Sequence, residues 1–181
     1  MKTKQTKQSI MKTKPFNITI LFLVIFVGLS SCKKNDNGEA EEVAGIAKSG
    51  QLTCKIDGKV YAHNGSGYVL KDNHSAVKAE KDTEQVTVNF YGMHEGDYVV
   101  SDGAEIDGNA KLQYFTGGSG QDRIIYTAKS GKLKITKYTG DFKVSGTFSG
   151  KFEKYVANKP TGVTIDVTDG SFTDIILFDV R

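Results

Sequence analysis

The 181-residue sequence contains no tryptophan, three histidines and two cysteines. Without tryptophan the strongest aromatic platform is missing, so a surface that stacks on a sugar ring has to be built from tyrosine. The histidines, His63, His74 and His94, lack metal-ligand spacing, although Asp72, Glu95 and Asp97 lie near them in the chain. There is no His-Glu-x-x-His, no cysteine pair and no Gly-x-Ser-x-Gly, so zinc hydrolysis and nucleophile-elbow chemistry have no motif to rest on. Gly117-Gly118-Ser119-Gly120 has the glycine content of a phosphate loop but neither the following lysine nor a helix, and no cofactor motif occurs elsewhere. Helical periodicity is absent, and with it the crossover helices that a parallel sheet requires.

An excess of one charge is lacking as well. The chain has 24 basic and 21 acidic side chains, but Lys2, Lys4, Lys7, Lys12 and Lys14 all precede residue 32, where there is no acid. From residue 32 onward the balance is slightly acidic, so the basic pI describes the N-terminal segment and nucleic acid is not an expected partner. Those lysines lead into an apolar run from Ile18 to Leu29, interrupted only by Thr19 and Gly28. A spanning helix needs roughly 20 apolar residues, whereas this layout fits a cleaved secretory signal over residues 1–31. Met1-Lys2-Thr3-Lys4 recurs as Met11-Lys12-Thr13-Lys14, so either Met1 or Met11 can be the start.

The signal ends in Leu29-Ser30-Ser31-Cys32, which resembles the lipobox of bacterial lipoproteins at all four positions. The resemblance implies lipid on Cys32 and a partner in the membrane itself. Each buried methylene of such a chain contributes about 0.8 kcal/mol, so several chains hold almost irreversibly. With Cys32 so used, Cys54 has no partner in the chain and is expected as a free buried thiol. Residues 32–50 follow as the lipidated cysteine and a tether too poor in apolar side chains to offset its own ordering entropy.

From residue 51 to 181 the pattern becomes that of an all-β domain. Leu52, Cys54 and Ile56 alternate with polar residues, as do Val86, Val88 and Phe90, and Leu133 and Ile135. Phe142, Val144, Phe148 and Phe152 share one face and are expected in the core, with Lys143, Thr147, Lys151 and Glu153 facing solvent. Asp57-Gly58, Asn64-Gly65, Glu95-Gly96, Asp102-Gly103, Asp107-Gly108 and Asp169-Gly170 supply the positive φ angles of tight turns. These signals predict an antiparallel β-sandwich of about nine or ten strands, with a closed β-barrel as the alternative.

The succession Ile56-Asp57-Gly58-Lys59-Val60-Tyr61-Ala62, Gly96-Asp97-Tyr98, Gly131-Lys132-Leu133-Lys134-Ile135-Thr136-Lys137, Val144-Ser145-Gly146-Thr147-Phe148 and Val167-Thr168-Asp169-Gly170-Ser171-Phe172 resembles a family of small Bacteroidota lipoproteins of unknown function. The resemblance implies fold and address, and transfers no site.

Two groups of residues suggest ligands. Asp102, Glu105 and Asp107 gather three carboxylates within six residues, a set that could wrap calcium, although solvated Asp-Gly turns give the same cluster. Tyr61, Tyr68, Tyr91, Tyr98, Tyr114, Tyr126, Tyr138 and Tyr155 could stack on sugars or anchor an interface, but most fall on strands, where core roles are commoner. The expected function is a non-enzymatic binding or interaction module, lipid-anchored in the cell envelope at the outer membrane, with a protein or glycan partner and the leaflet left open. A periplasm-facing structural or assembly component is one alternative. An enzyme acting on envelope carbohydrate is another, and it requires two carboxylates converging across a cleft.

Overall fold

A computed structural model describes residues 47–103, 105–118 and 122–181. The segment expected as a signal with Met1 and Met11, the expected lipid site Cys32, the expected tether up to residue 46, and Ser119 and Gly120 lie outside the described residues.

The alternating segments form nine strands among the described residues: β1 (Gln51–Ile56), β2 (Lys59–Val69), β3 (His74–Lys81), β4 (Glu84–Tyr91), β5 (Gly96–Val100), β6 (Asn109–Gly117), β7 (Arg123–Tyr138), β8 (Lys143–Val156) and β9 (Lys159–Asp179). The all-β expectation holds. The strands make one hydrogen-bonded sheet in the order β1-β2-β3-β4-β6-β5-β7-β8-β9, and β9 pairs with β1 to close it. The closed barrel therefore describes the connectivity, in place of two separate sandwich sheets. Antiparallel pairing dominates, but β5 and β6 pair in parallel through Val99 and Asn109, and β2 and β9 do so through Gly67 and Leu177.

Closure explains two turn signals that are not turns. Asn64-Gly65 lies inside β2, where a side chain on Gly65 would fall on Ile175 and one on Gly67 on Leu177. Glycine lets β9 approach β2 beyond the end of the short β1. Asp169-Gly170 lies inside β9, with Asp169 at φ 52° beside a register shift against both β1 and β8. It is a bulge, the device by which a long strand bends around a barrel. A Cβ on Gly170 would sit 2.5 Å from the Phe148 carbonyl oxygen.

Asp57-Gly58 does close the β1–β2 hairpin, with φ of 47° and 79°, the type I′ arrangement. The same geometry joins β8 to β9 through Ala157 and Asn158, at 50° and 60°, without glycine. Asp72 and Asn73 turn β2 into β3, and Asp82 turns β3 into β4, each at positive φ.

The interior is filled by Leu52, Cys54, Val77, Val88, Phe90, Leu112, Leu133, Ile135, Val144, Phe148, Phe152 and Phe172 among others. Fully burying such a side chain contributes about 1.5–3 kcal/mol. Cys54 is buried as expected, and burial pushes its thiol up to about 12.

Two core assignments change. Phe142 is in the β7–β8 connection at φ 56°, only partly buried against the core, with the Arg181 guanidinium 5.5 Å from its ring. Glu153 does point away from the core but is covered, at 4 % exposure. Its Oε1 accepts the Gly162 N–H at 2.7 Å and its Oε2 lies 2.7 Å from Lys129 Nζ. Lys129, together with the Gly162 N–H, holds this carboxyl below its usual range.

The folded part also takes in Ala47 to Gly50, which the composition assigns to the tether. Ala47 is buried and its N–H donates to Ser171 Oγ at 2.9 Å. The chain then reverses at Gly50, where φ is 77°, and enters β1.

Phe148→Ala is expected to cost about 3–5 kcal/mol in urea unfolding, because the ring is buried in a closed core. Ala157→Gly is expected to raise stability by about 1 kcal/mol in the same assay, since it removes the left-handed penalty from a residue with a Cβ.

Candidate functional site

A closed sheet leaves its two ends as the places where side chains can meet a ligand without displacing the core. At the end carrying the Asp57-Gly58, Asp82-Thr83 and Ala157-Asn158 turns, strand termini surround a cleft of about 350 Å³. Tyr61 from β2, Tyr114 from β6 and Tyr126 from β7 line it, with Asp57, Lys59 and Glu84 among the polar side chains and Ile56, Val60 and Ile165 among the apolar ones.

Each tyrosine is placed by the sheet. The Tyr61 hydroxyl donates to the Ala79 carbonyl at 2.7 Å, which pins its ring. Tyr114 and Tyr126 are cross-strand partners, with ring centroids 5.9 Å apart and planes tilted by 32°. The Tyr114 hydroxyl donates to Glu84 Oε1, and Glu84 is the first residue of β4. Burial first, and then this bond, push the Tyr114 hydroxyl up to about 12. The Tyr61 hydroxyl is raised as well, chiefly by burial. Asp57 accepts the Asp166 N–H at 2.9 Å through Oδ1 and so ties the β1–β2 turn to β9. The cleft offers the half-buried Tyr126 ring and the Val60 side chain to an apolar surface, and carboxylate oxygens to hydroxyl or amide donors, while Tyr61 and Tyr114 form its covered floor.

The opposite end has a second cleft, of about 490 Å³, lined by His74, Tyr91, Asp72, Glu105 and others. His74 stacks on Tyr91 at 4.6 Å, and its Nε2 is 3.2 Å from Asn89 Oδ1. Burial and a hydrogen bond to Glu105 push the Tyr91 hydroxyl up to about 12.

The residues singled out as metal ligands are dispersed. His63 meets Tyr61 edge-on. His94 stacks on Tyr98, with Nε2 3.4 Å from Asp107 Oδ1. Asp102 accepts the Tyr155 hydroxyl at 3.0 Å and lies 3.4 Å from Lys111 Nζ. Glu95 Oε1 accepts the Tyr138 N–H at 3.4 Å, and Asp97 lies on the outer wall beside Lys134. Asp102, Glu105 and Asp107 thus engage separate partners, and among the described residues no group of three acidic, histidine or cysteine side chains is placed to hold a metal ion. The calcium reading has no site in this geometry.

Tyr61, Tyr91, Tyr98 and Tyr114 are buried, and Tyr126 and Tyr138 pack against the core, so the tyrosines are first a structural resource. Glu84 was not singled out in the sequence. Its signal is position, beside a turn at the same end of the barrel as Asp57.

These features define a closed, mainly antiparallel β-barrel with a filled interior and a tyrosine-lined cleft at one mouth. Residues 48–176 match the family described as "Domain of unknown function (DUF6252)", and the chain belongs to that family. Searches of curated proteins and of solved structures found no match.

Glu84→Gln should lower the Tyr114 pKa from about 12, because ionised Tyr114 would no longer face a carboxylate, and leave it above 10, because burial, the larger cause, remains; tyrosinate absorbance reads this directly. Tyr91, Tyr98 and Tyr114 are all held near 12 against an ordinary 10. Their contribution to stability is complete below pH 10 and lost as pH rises toward 12, because the unfolded chain releases these protons first. On the alkaline side, denaturant midpoints are therefore expected to begin to fall near pH 9, where the Cys54 thiol of the unfolded chain ionises, and to fall steeply above pH 10.

Proposed function

We propose that the chain is a lipid-anchored lipoprotein of the cell envelope, at the outer membrane, whose β-barrel is a non-enzymatic recognition module. The address rests on the basic N-terminal segment, the short apolar run and Leu29-Ser30-Ser31-Cys32. Recognition rests on the cleft lined by Tyr61, Tyr114 and Tyr126 with Glu84. The half-buried Tyr126 ring beside carboxylate acceptors suits a glycan, whose rings present C–H faces and whose hydroxyls donate. A protein loop bearing an aliphatic or aromatic side chain is the other partner that such a cleft fits.

A second reading, an enzyme acting on envelope carbohydrate, draws on Asp57 and Glu84 lining the same cleft. Both already serve the fold, Asp57 by binding the Asp166 N–H and Glu84 by accepting from Tyr114, which favours binding over turnover.

Calorimetric titration of the full chain with a panel of oligosaccharides tests the recognition reading. A bound saccharide whose affinity falls about thirtyfold in Tyr126→Ala, or roughly 2 kcal/mol, is the expected outcome. Release of shortened saccharide, lost in Glu84→Gln, would replace binding with catalysis. Cys32→Ala should abolish incorporation of radiolabelled fatty acid and free the protein from membranes; persistent labelling would remove the assigned anchor.

A further inference from the structure

Charge is segregated around the barrel. Residues 47–181 carry equal numbers of acidic and basic side chains, yet residues 123–156, which comprise β7, β8 and their connection, hold eight basic side chains against two acidic, Asp141 and Glu153. The remainder of the barrel is correspondingly acidic. The strand period puts Leu133, Ile135, Val144, Phe148 and Phe152 inward, so the alternating lysines emerge on the outer wall.

Lys129, Lys137 and Lys143 lie within 3.0 Å of Glu153, Asp174 and Asp141. Lys132, Lys134 and Lys151 are exposed and have no ion pair among the described residues. Their partners across the β7–β8 ladder are Ser149, Thr147 and Ser130, so the strip between these two strands is hydroxylic beside them, while on its flanks Lys134 faces Asp97 of β5 and Lys151 faces Asp166 of β9. Lys132 and Lys134 also line a shallow groove with Thr147, Ser149 and Thr168, whose acids are Asp97 and Asp169. Lys55 pairs with Asp169 at 3.0 Å.

The chain enters the barrel beside this wall. The Ala47 N–H donates to Ser171 Oγ; Ser171 is the cross-strand partner of Thr147, and Thr147 of Lys134. Two strand spacings, about 10 Å, separate the entry point from Lys134. Residues 32 to 47, fully extended, span at most about 50 Å.

We infer that the β7–β8 wall is the surface this protein lays against the anionic headgroups of the membrane that holds its own lipid. The inference rests on the lipid anchor at Cys32 proposed above and is separate from ligand binding at the cleft. A neutral barrel is not drawn to an anionic surface as a whole, but one with a basic wall and an acidic remainder is oriented by it, at distances comparable to the Debye length of ~10 Å at 0.1 M salt. With this wall down, the barrel lies on its side and both ends stay accessible.

The test reconstitutes the full-length lipidated protein into phosphatidylcholine vesicles with and without phosphatidylglycerol. Lysine labelling by a membrane-impermeant amine reagent is then followed by mass spectrometry. Lys132, Lys134 and Lys151 are expected to react about threefold more slowly on anionic vesicles at low salt and to recover at high salt, while Lys71 and Lys81, across the ring, do not change. Protection of Lys151 should vanish in the K132E/K134E double variant. Equal rates on both vesicles, or protection of Lys71 and Lys81, would overturn the inference. Protection by added heparin on neutral vesicles, without protection on anionic ones, would overturn it in favour of a soluble polyanion. Flotation of the same samples at high salt separates the two readings: protein that fails to float removes the anchor, whereas protein that floats without lysine protection removes only the orientation.

Discussion

Pairing of β9 with β1 turns a ladder of strands into a ring, and the rest of the structure follows from that closure. An open sheet of this length would present two rows of unpaired N–H and C=O groups, each a template for association with another chain. Here β1 bonds to β2 on one side and to β9 on the other. Ahead of Gln51, where β1 has not yet begun, β2 and β9 continue the seal directly, which requires the bare backbones of Gly65 and Gly67. Beyond the seal, β9 runs on as one partner of a protruding hairpin. Pro160, the positive φ of Gly162 and the Glu153 carboxylate on the Gly162 N–H leave its free edge poorly suited to pairing.

Period-two alternation made the strands readable, because burial of one face imposes it wherever a strand lies against the core. Leu52 and Cys54, Val86 to Phe90, and Leu133 and Ile135 all keep the parity that their spelling suggests. Closure was less readable, since strands in a sandwich and in a barrel alternate alike and only long-range pairing separates them. Turn chemistry was legible at Asp57-Gly58 and misleading at Asn64-Gly65 and Asp169-Gly170. A glycine required by close approach of another strand, or by a bulge, looks in sequence like a glycine required by a hairpin. Ala157-Asn158 shows the converse, a tight turn imposed by its flanking strands without the residue that usually marks it.

The candidate site was legible as a residue type and not as a place. Eight tyrosines were evident, but which three border one cleft depends on strand ends brought together around the ring. Glu84 carried no signal of its own, because a carboxylate after a turn is ordinary until the register of β4 against β6 sets Tyr114 near it. The carboxylates from Asp102 to Asp107 are neighbours in the chain, yet each finds a different partner. Proximity in sequence and convergence in space are separate properties in a protein built from turns.

The reversal at Gly50 bears on how the barrel carries load. A pull transmitted through Ala47 reaches the barrel at Ser171 and at the bridge between Ser49 and Thr173, and passes from there into β1, which is clasped on both sides. If a partner grips the mouth beside Ile56, tension between that mouth and Ala47 runs along the strand. Its bonds to β2 and β9 are then strained together in shear and not opened one after another. The shortest of the three strands that make the seam is thereby placed where many weak bonds resist as one.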